Sequence, residues 1–209
     1  MFRRFFAPVL LSLFCAIPSY AGVNKPTEPL PRVMKWIDFR GVGGLLSPYD
    51  GLIGDGNKQI IILLNPGEYP QRKQLLIASA FVAEHRDTSV IVKDVPDTPE
   101  GLLFSRVSYA LRALSGDNPS RWKYFIFLTC SEKELNKDVI DKAVVKAGLS
   151  PELVYEFIKT HNVAIDNYLK ANQDIASKLS FSHSPVWLAG NERLNGYMLV
   201  KGISAWTGE

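Results

Sequence analysis

The run Gln59-Ile60-Ile61-Ile62-Leu63-Leu64 restricts the fold more than any other part of the chain. It is apolar without alternation, and turn formers flank it: Gly56-Asn57 before, Asn65-Pro66-Gly67 after. A short continuous apolar run between such flanks reads as a strand buried on both faces, the kind found in parallel sheets covered by helices. Gln71 to His85 reads as a helix whose broad apolar side holds Leu75, Leu76, Ala78, Ala80, Val82 and Ala83. Ser89 to Val95 is a second strand, stopped by Pro96. A strand, a helix and a strand in this order predict one parallel unit with a right-handed crossover.

The middle of the chain reads as helical. Gly101 to Leu114 has apolar residues at helical spacing and ends at Ser115-Gly116-Asp117-Asn118-Pro119. Arg121 to Cys130 is apolar and aromatic, and periodicity leaves helix and strand both open. Lys133 to Ala147 is periodic and stops at Gly148. Ser150 suits an N-cap with Pro151 at the first helical position, starting a helix to about Thr160. Val163 to Leu179 follows as another. Pro185 to Ala189 and Glu192 to Gly196 read as a hairpin turning at Gly190-Asn191, and Met198 to Trp206 as a closing helix. The order is β-α-β, several helices, then β-β-α. It predicts a single α/β domain over 57–209 with a helical insertion over about 101–180. Residues 22–56 read as linker and loop, with a possible short strand at Leu45-Leu46; Arg32 to Phe39 could be strand or helix.

Residues 1–21 have the marks of a secretory signal peptide. Arg3 and Arg4 precede the apolar stretch Phe5–Ile17, Pro18 breaks it, and Ser19-Tyr20-Ala21 offers small residues for cleavage. The stretch is shorter than the roughly 20 residues of a bilayer span. Phe14, before Cys15, disfavours lipidation. Loss of this segment removes two arginines and no acid, so the formal charge falls from +3 to +1. A near-neutral chain with mixed signs argues against nucleic acid, where a clustered basic face is expected, and against polybasic membrane docking. The expected location is the periplasm. The expected partners are other envelope proteins or unfolded polypeptide, with no transmembrane span in the mature chain.

Cys15 leaves with the leader, so Cys130 is then the only thiol, set in an apolar segment as buried free cysteines usually are.

This pattern resembles the thioredoxin fold as elaborated in the periplasmic disulfide-bond (DsbA-like) family, over roughly Gln59 to Trp206. Two segments carry the resemblance. Asn65-Pro66-Gly67-Glu68-Tyr69-Pro70-Gln71 follows the first central strand, where active relatives often read Asp-Pro-x-Cys-x-x-Cys. On that register Glu68 and Gln71 stand at the two cysteine positions. His183-Ser184-Pro185-Val186-Trp187 looks like the family's cis-proline loop, with Pro185 as that proline. The resemblance implies the fold and a groove beside Pro185 for extended polypeptide. It does not carry the redox activity, which needs a low-pKa thiolate and a resolving thiol. Thiol-disulfide oxidoreductase activity is therefore disfavoured, and no catalytic residue, metal or cofactor is expected.

Other chemistries lack their motifs. His85, His161 and His183 have no metal-ligand partner at i, i+3 or i, i+4. His85 and His161 fall near helix C-termini, where the dipole favours a cation. No Gly-x-Ser-x-Gly occurs, and Asp50, Asp55 and Glu68 read as ordinary loop acids. Glu68 also offsets a helix N-terminal dipole. Trp187 reads as core, while Trp206 could be core or binding surface. Two functions are consistent with these readings: a non-catalytic scaffold in an envelope machine such as a secretion or conjugation apparatus, and a periplasmic peptide-binding chaperone using His183, Ser184 and Pro185.

Overall fold

The structure is a computed structural model and describes residues 47, 49–116, 119–189 and 192–208. The chain divides into two units, Met1–Arg32 and Val33–Glu209, and every described residue belongs to the second. The leader expected over 1–21 and the Leu45-Leu46 strand lie outside the described residues, as does the Gly190-Asn191 turn.

Among the described residues five strands form one sheet in the order β1-β3-β2-β4-β5. Strands β2 (Lys58–Leu64) and β3 (Thr88–Asp94) pair in parallel, with Ile60 opposite Val90. The hairpin β4 (Val186–Ala189) and β5 (Glu192–Asn195) joins the other side of β2, with β4 antiparallel to it. Both faces of β2 are buried, as its lack of alternation requires. Ile60, Ile62 and Leu64 enter a core shared with the helices that follow, while Ile61 and Leu63 face a second core. Ile175 and Ala176 of α7 (Asn162–Lys178), with Leu179 at its C-cap, close that second core.

The insertion runs through α3 (Pro99–Ser115), α4 (Ser120–Ser131), α5 (Lys137–Lys146), α6 (Pro151–Thr160) and α7. Three of its helices begin at side-chain caps. Thr98, Asn136 and Ser150 each accept a hydrogen bond from the backbone N–H three residues on, and proline follows Thr98 and Ser150 at the first helical position. The segment left open between helix and strand is α4, with Trp122, Phe125, Ile126 and Cys130 turned inward and Tyr124 and Phe127 exposed.

Three expectations are corrected. The helix foreseen over 71–85 is two pieces, α1 (Tyr69–Arg72) and α2 (Gln74–Glu84), with Lys73 at the junction. Gly51–Ile53, inside the segment read as linker and loop, is strand β1, antiparallel to β3. Only glycine fits at its start, since a Cβ on Gly51 would lie 2.5 Å from the Trp122 ring. Asp50, read as a solvated loop acid, is buried against Lys93 of β3, with a Nζ–Oδ2 distance of 2.8 Å. Helix α8 (Val200–Thr207) closes the fold against α2. There His85 Nε2 meets Ser204 Oγ at 2.9 Å. No described helix is long and apolar enough to cross a membrane.

Candidate functional site

The loop after β2 and the loop before β4 meet where the parallel strands end, the usual site of ligand crevices in such sheets. Asn65 organises the first loop. Its side-chain oxygen accepts from Gly67 N at 3.0 Å, and its amide nitrogen donates to Asp97. Pro66-Gly67 then lies against the start of α3. A Cβ on Gly67 would come within 2.3 Å of Thr98 Oγ1, and one on Gly101 within 2.9 Å of Gly67 N. Neither position has room for a larger residue.

Glu68 is the N-cap of α1, in extended conformation, and its side chain makes no cap bond. Gln71 is fully buried. Its Oε1 accepts from Asn65 N at 2.8 Å. Its Nε2 donates to Glu68 Oε2 at 3.0 Å and to the His183 carbonyl at 3.3 Å. One amide thus ties the end of β2, the start of α1 and the loop before β4. The structure brings Glu68, Gln71 and the backbone of His183 together. The His183 side chain is exposed, Ser184 half-buried and Pro185 buried.

The Ser184–Pro185 bond is trans. Trans is the lower form of such bonds by about 0.5–1 kcal/mol. The loop carbonyls have partners in it: Gln71 for His183, and Gly196 N for the Pro185 oxygen at 2.8 Å.

Sequence reasoning missed Arg72. It is fully buried, with no carboxylate among its hydrogen-bond partners. Instead its guanidinium donates to backbone carbonyls at both ends of the site. Nη1 reaches Pro66 O at 2.7 Å and Gly67 O at 3.5 Å. Nε reaches Thr129 O at 3.2 Å, and Nη2 reaches Glu132 O at 2.8 Å and Lys133 O at 3.3 Å. Helix α4 ends there, so a cation sits against the negative end of its dipole. Burial lowers the arginine's pKa from its ordinary value. Nothing in the sequence marks this role.

Cys130 packs in the core, and burial pushes its thiol up to about 12. A thiolate, the reactive form, is strongly disfavoured there. Among the described residues no cluster of His, Cys, Asp or Glu could hold a metal. His161 stacks on Phe157 at 4.0 Å and ends α6, and His85 ends α2. Trp187 is core, its Nε1 donating to Gly196 O at 3.2 Å. Trp206 packs partly buried against the main core. On the outer rim Tyr197 is 50% exposed and Leu199 72%. Burial, and then the Glu68 charge, raise the tyrosine's pKa.

A parallel β-α-β unit joined through a five-helix insertion to an antiparallel hairpin and a closing helix is a thioredoxin-like fold of the DsbA kind. Solved structures agree. The chain is similar to alpha-DsbA2, a thiol-disulfide exchange protein from Wolbachia pipientis, at 13% identity and TM-score 0.68, covering 81% of this chain and 90% of that one. It is similar to a thioredoxin-like oxidoreductase from Silicibacter pomeroyi, at 12% identity and TM-score 0.67, covering 76% and 90%. A periplasmic thioredoxin-like protein from Salmonella enterica serovar Typhimurium aligns at 15% identity and TM-score 0.65, over 84% and 97%. No family profile and no curated protein matches the sequence.

Proposed function

We propose that this chain is a non-catalytic, periplasmic thioredoxin-fold protein that acts as a scaffold or assembly component in the bacterial envelope, within a secretion or conjugation apparatus. The observation that carries the reading is the buried Gln71 amide, satisfied by Asn65, Glu68 and His183. On the family register it stands where a resolving thiol would be, and it fills the space between α1 and the proline loop. The sole described cysteine supports the same reading, because its raised pKa suits neither a nucleophile nor a leaving group. The leader pattern and the periplasmic relative support the location.

Native size tests it: gentle detergent extraction of the envelope, gel filtration, and mass spectrometry of what co-elutes. Recovery in one large, defined assembly is expected. Recovery as a small free species with scattered unfolded clients would replace the scaffold with the second reading.

That second reading, a peptide-binding chaperone, is favoured by exposed Tyr197, near enough to Glu68 to feel its charge, and by exposed Leu199. It predicts that replacing Ser184-Pro185 abolishes binding of unfolded polypeptide. Unchanged binding would remove it.

A further inference from the structure

Helix α3 carries a polar stripe on a face turned inward. Ser105, Ser108 and Arg112 stand at i, i+3 and i+7, on the same side of the helix. Ser105 and Ser108 are buried, and Arg112 is half-buried. At the carboxyl end of β3, Lys93 and Asp94 are each 1% exposed. Part of this cluster is bonded within itself. Lys93 Nζ donates to both carboxylate oxygens of Asp50, and Tyr168 Oη donates to one of them. Arg112 Nη1 and Trp122 Nε1 both donate to Ser108 Oγ at 2.7 Å. The Arg112 guanidinium lies 5.5 Å from the Trp122 ring and 5.9 Å from the Tyr168 ring.

What remains is a matched set. Both Asp94 carboxylate oxygens, the Ser105 hydroxyl, and Nε and Nη2 of Arg112 are buried with no hydrogen-bond partner among the described residues. Burial raises the Asp94 pKa, and the Arg112 charge is the strongest influence opposing it, so these acceptors and donors share one neighbourhood without bonding each other. Buried polar groups in folded proteins have partners, and where the protein supplies none, ordered water or an ion does. The charges choose between the two. Lys93 and Arg112 balance Asp50 and Asp94, so an added ion would leave a net charge in the interior, which is strongly disfavoured. The occupant is therefore neutral. It must donate to a carboxylate, which only accepts, and accept from a guanidinium, which only donates. It must also be small, because Asp94 is 1% exposed and Ser105 0%.

We infer that Asp94, Ser105 and Arg112 enclose an internal binding site for water, which bridges the carboxylate to the guanidinium and takes a further bond with the serine hydroxyl. About three such bonds are what a buried water ordinarily makes. The bridge ties α3 to the end of β3, where the Asn172 amide of α7 already donates to the Asp94 main-chain oxygen at 3.2 Å. It also stands close in the chain to the candidate site. Just beyond Asp94, Asp97 accepts from the Asn65 amide that organises the first loop.

Magnetic relaxation dispersion of the water oxygen, which detects long-lived internal water, tests the site in the intact protein. At a pH well above the Asp94 value of about 6, the parent is compared with Asp94→Leu/Arg112→Met. That pair of substitutions removes an acid and a base together and so keeps the charge balance. The parent should show a long-lived component that is reduced or absent in the variant, whose native fold is checked by near-ultraviolet circular dichroism. Equal dispersion in the two overturns the inference. A crystal structure of the parent at the same pH, soaked in bromide, gives a second reading that needs no variant. Density for water within hydrogen-bond distance of both Asp94 and Arg112 upholds the bridge. Bromide anomalous scattering at that place overturns it in favour of an anion. A direct Asp94–Arg112 bond overturns it in favour of a closed ion pair.

Discussion

Two buried polar regions lie at the carboxyl ends of neighbouring strands, and they are built on opposite rules. After β2, the side-chain groups of Gln71 and Arg72 find partners, largely backbone carbonyls and N–H groups. After β3, Lys93 and Asp50 pair, and Tyr168 Oη adds a bond to Asp50 Oδ1 at 3.1 Å, but their neighbours are left over. Both carboxylate oxygens of Asp94, the Ser105 hydroxyl, and Nε and Nη2 of Arg112 are buried without a hydrogen-bond partner among the described residues. Ser105 stands near enough to Asp94 to favour its ionised form while falling short of hydrogen-bond geometry. Burial dominates, and the Asp94 carboxyl is raised to about 6, with Asp50 adding to the rise and Arg112 and Lys93 opposing it. The Gln71 amide and the Arg72 guanidinium carry no proton lost near neutral pH, whereas the Asp94 carboxyl titrates.

The largest effect should come from breaking the satisfied side. Arg72→Ala strands carbonyls at two elements at once and should cost about 4 kcal/mol or more in urea unfolding. A loss under about 1 kcal/mol would mean water replaces the guanidinium without penalty. On the frustrated side, Asp50→Asn leaves Lys93 as a buried, unpaired cation and should cost about 3 kcal/mol at neutral pH. Its neighbour should behave in the reverse sense. The folded protein holds the Asp94 proton more tightly than the unfolded chain, so this group's contribution is favourable at low pH and is lost as pH rises from about 4 through about 6. Asp94→Asn should therefore stabilise the protein at pH 7.5, by on the order of 2–3 kcal/mol. The gain over the parent should vanish near pH 4. Parallel stability–pH curves for parent and variant would show that Asp94 does not titrate in this range. Gln71→Ala should cost about 1–2 kcal/mol, because it orphans the Asn65 N–H. The smallest effect is a null one: Cys130 should react with a maleimide only on unfolding, and fast native labelling would contradict its burial.

The sequence announces what is local and periodic. Strand β2 follows from an unbroken apolar run and β3 from a shorter one stopped by Pro96, α3 and α5 from apolar residues at helical spacing, and α6 from its Ser150-Pro151 start. Helix α4 resists the same reading, because Trp122, Phe125 and Ile126 bury one side while Tyr124 and Phe127 keep the other apolar. Strand β1 has three residues, too few for a period to register. In the site, Glu68 and Gln71 are legible only through resemblance, which says what is missing from those positions and not what the amide does there. Arg72 is illegible for a different reason. Its partners are carbonyls, which every residue carries, so no side-chain pattern can point to them. The Lys93–Asp50 pair is hidden by its separation in sequence.

The central strand, β2, is bonded on one side to β3 and on the other to β4, with the whole helical insertion between them in the chain. This sets an order of events. A chain emerging from its N-terminus, from a ribosome or from a narrow channel, can assemble the β2–β3 unit early. Until Val186–Ala189 arrives, however, β2 keeps a bare edge of unpaired backbone groups. Closure of the sheet waits on one of the last segments to appear, so a nascent or half-delivered chain stays pliable and exposed to aggregation until then.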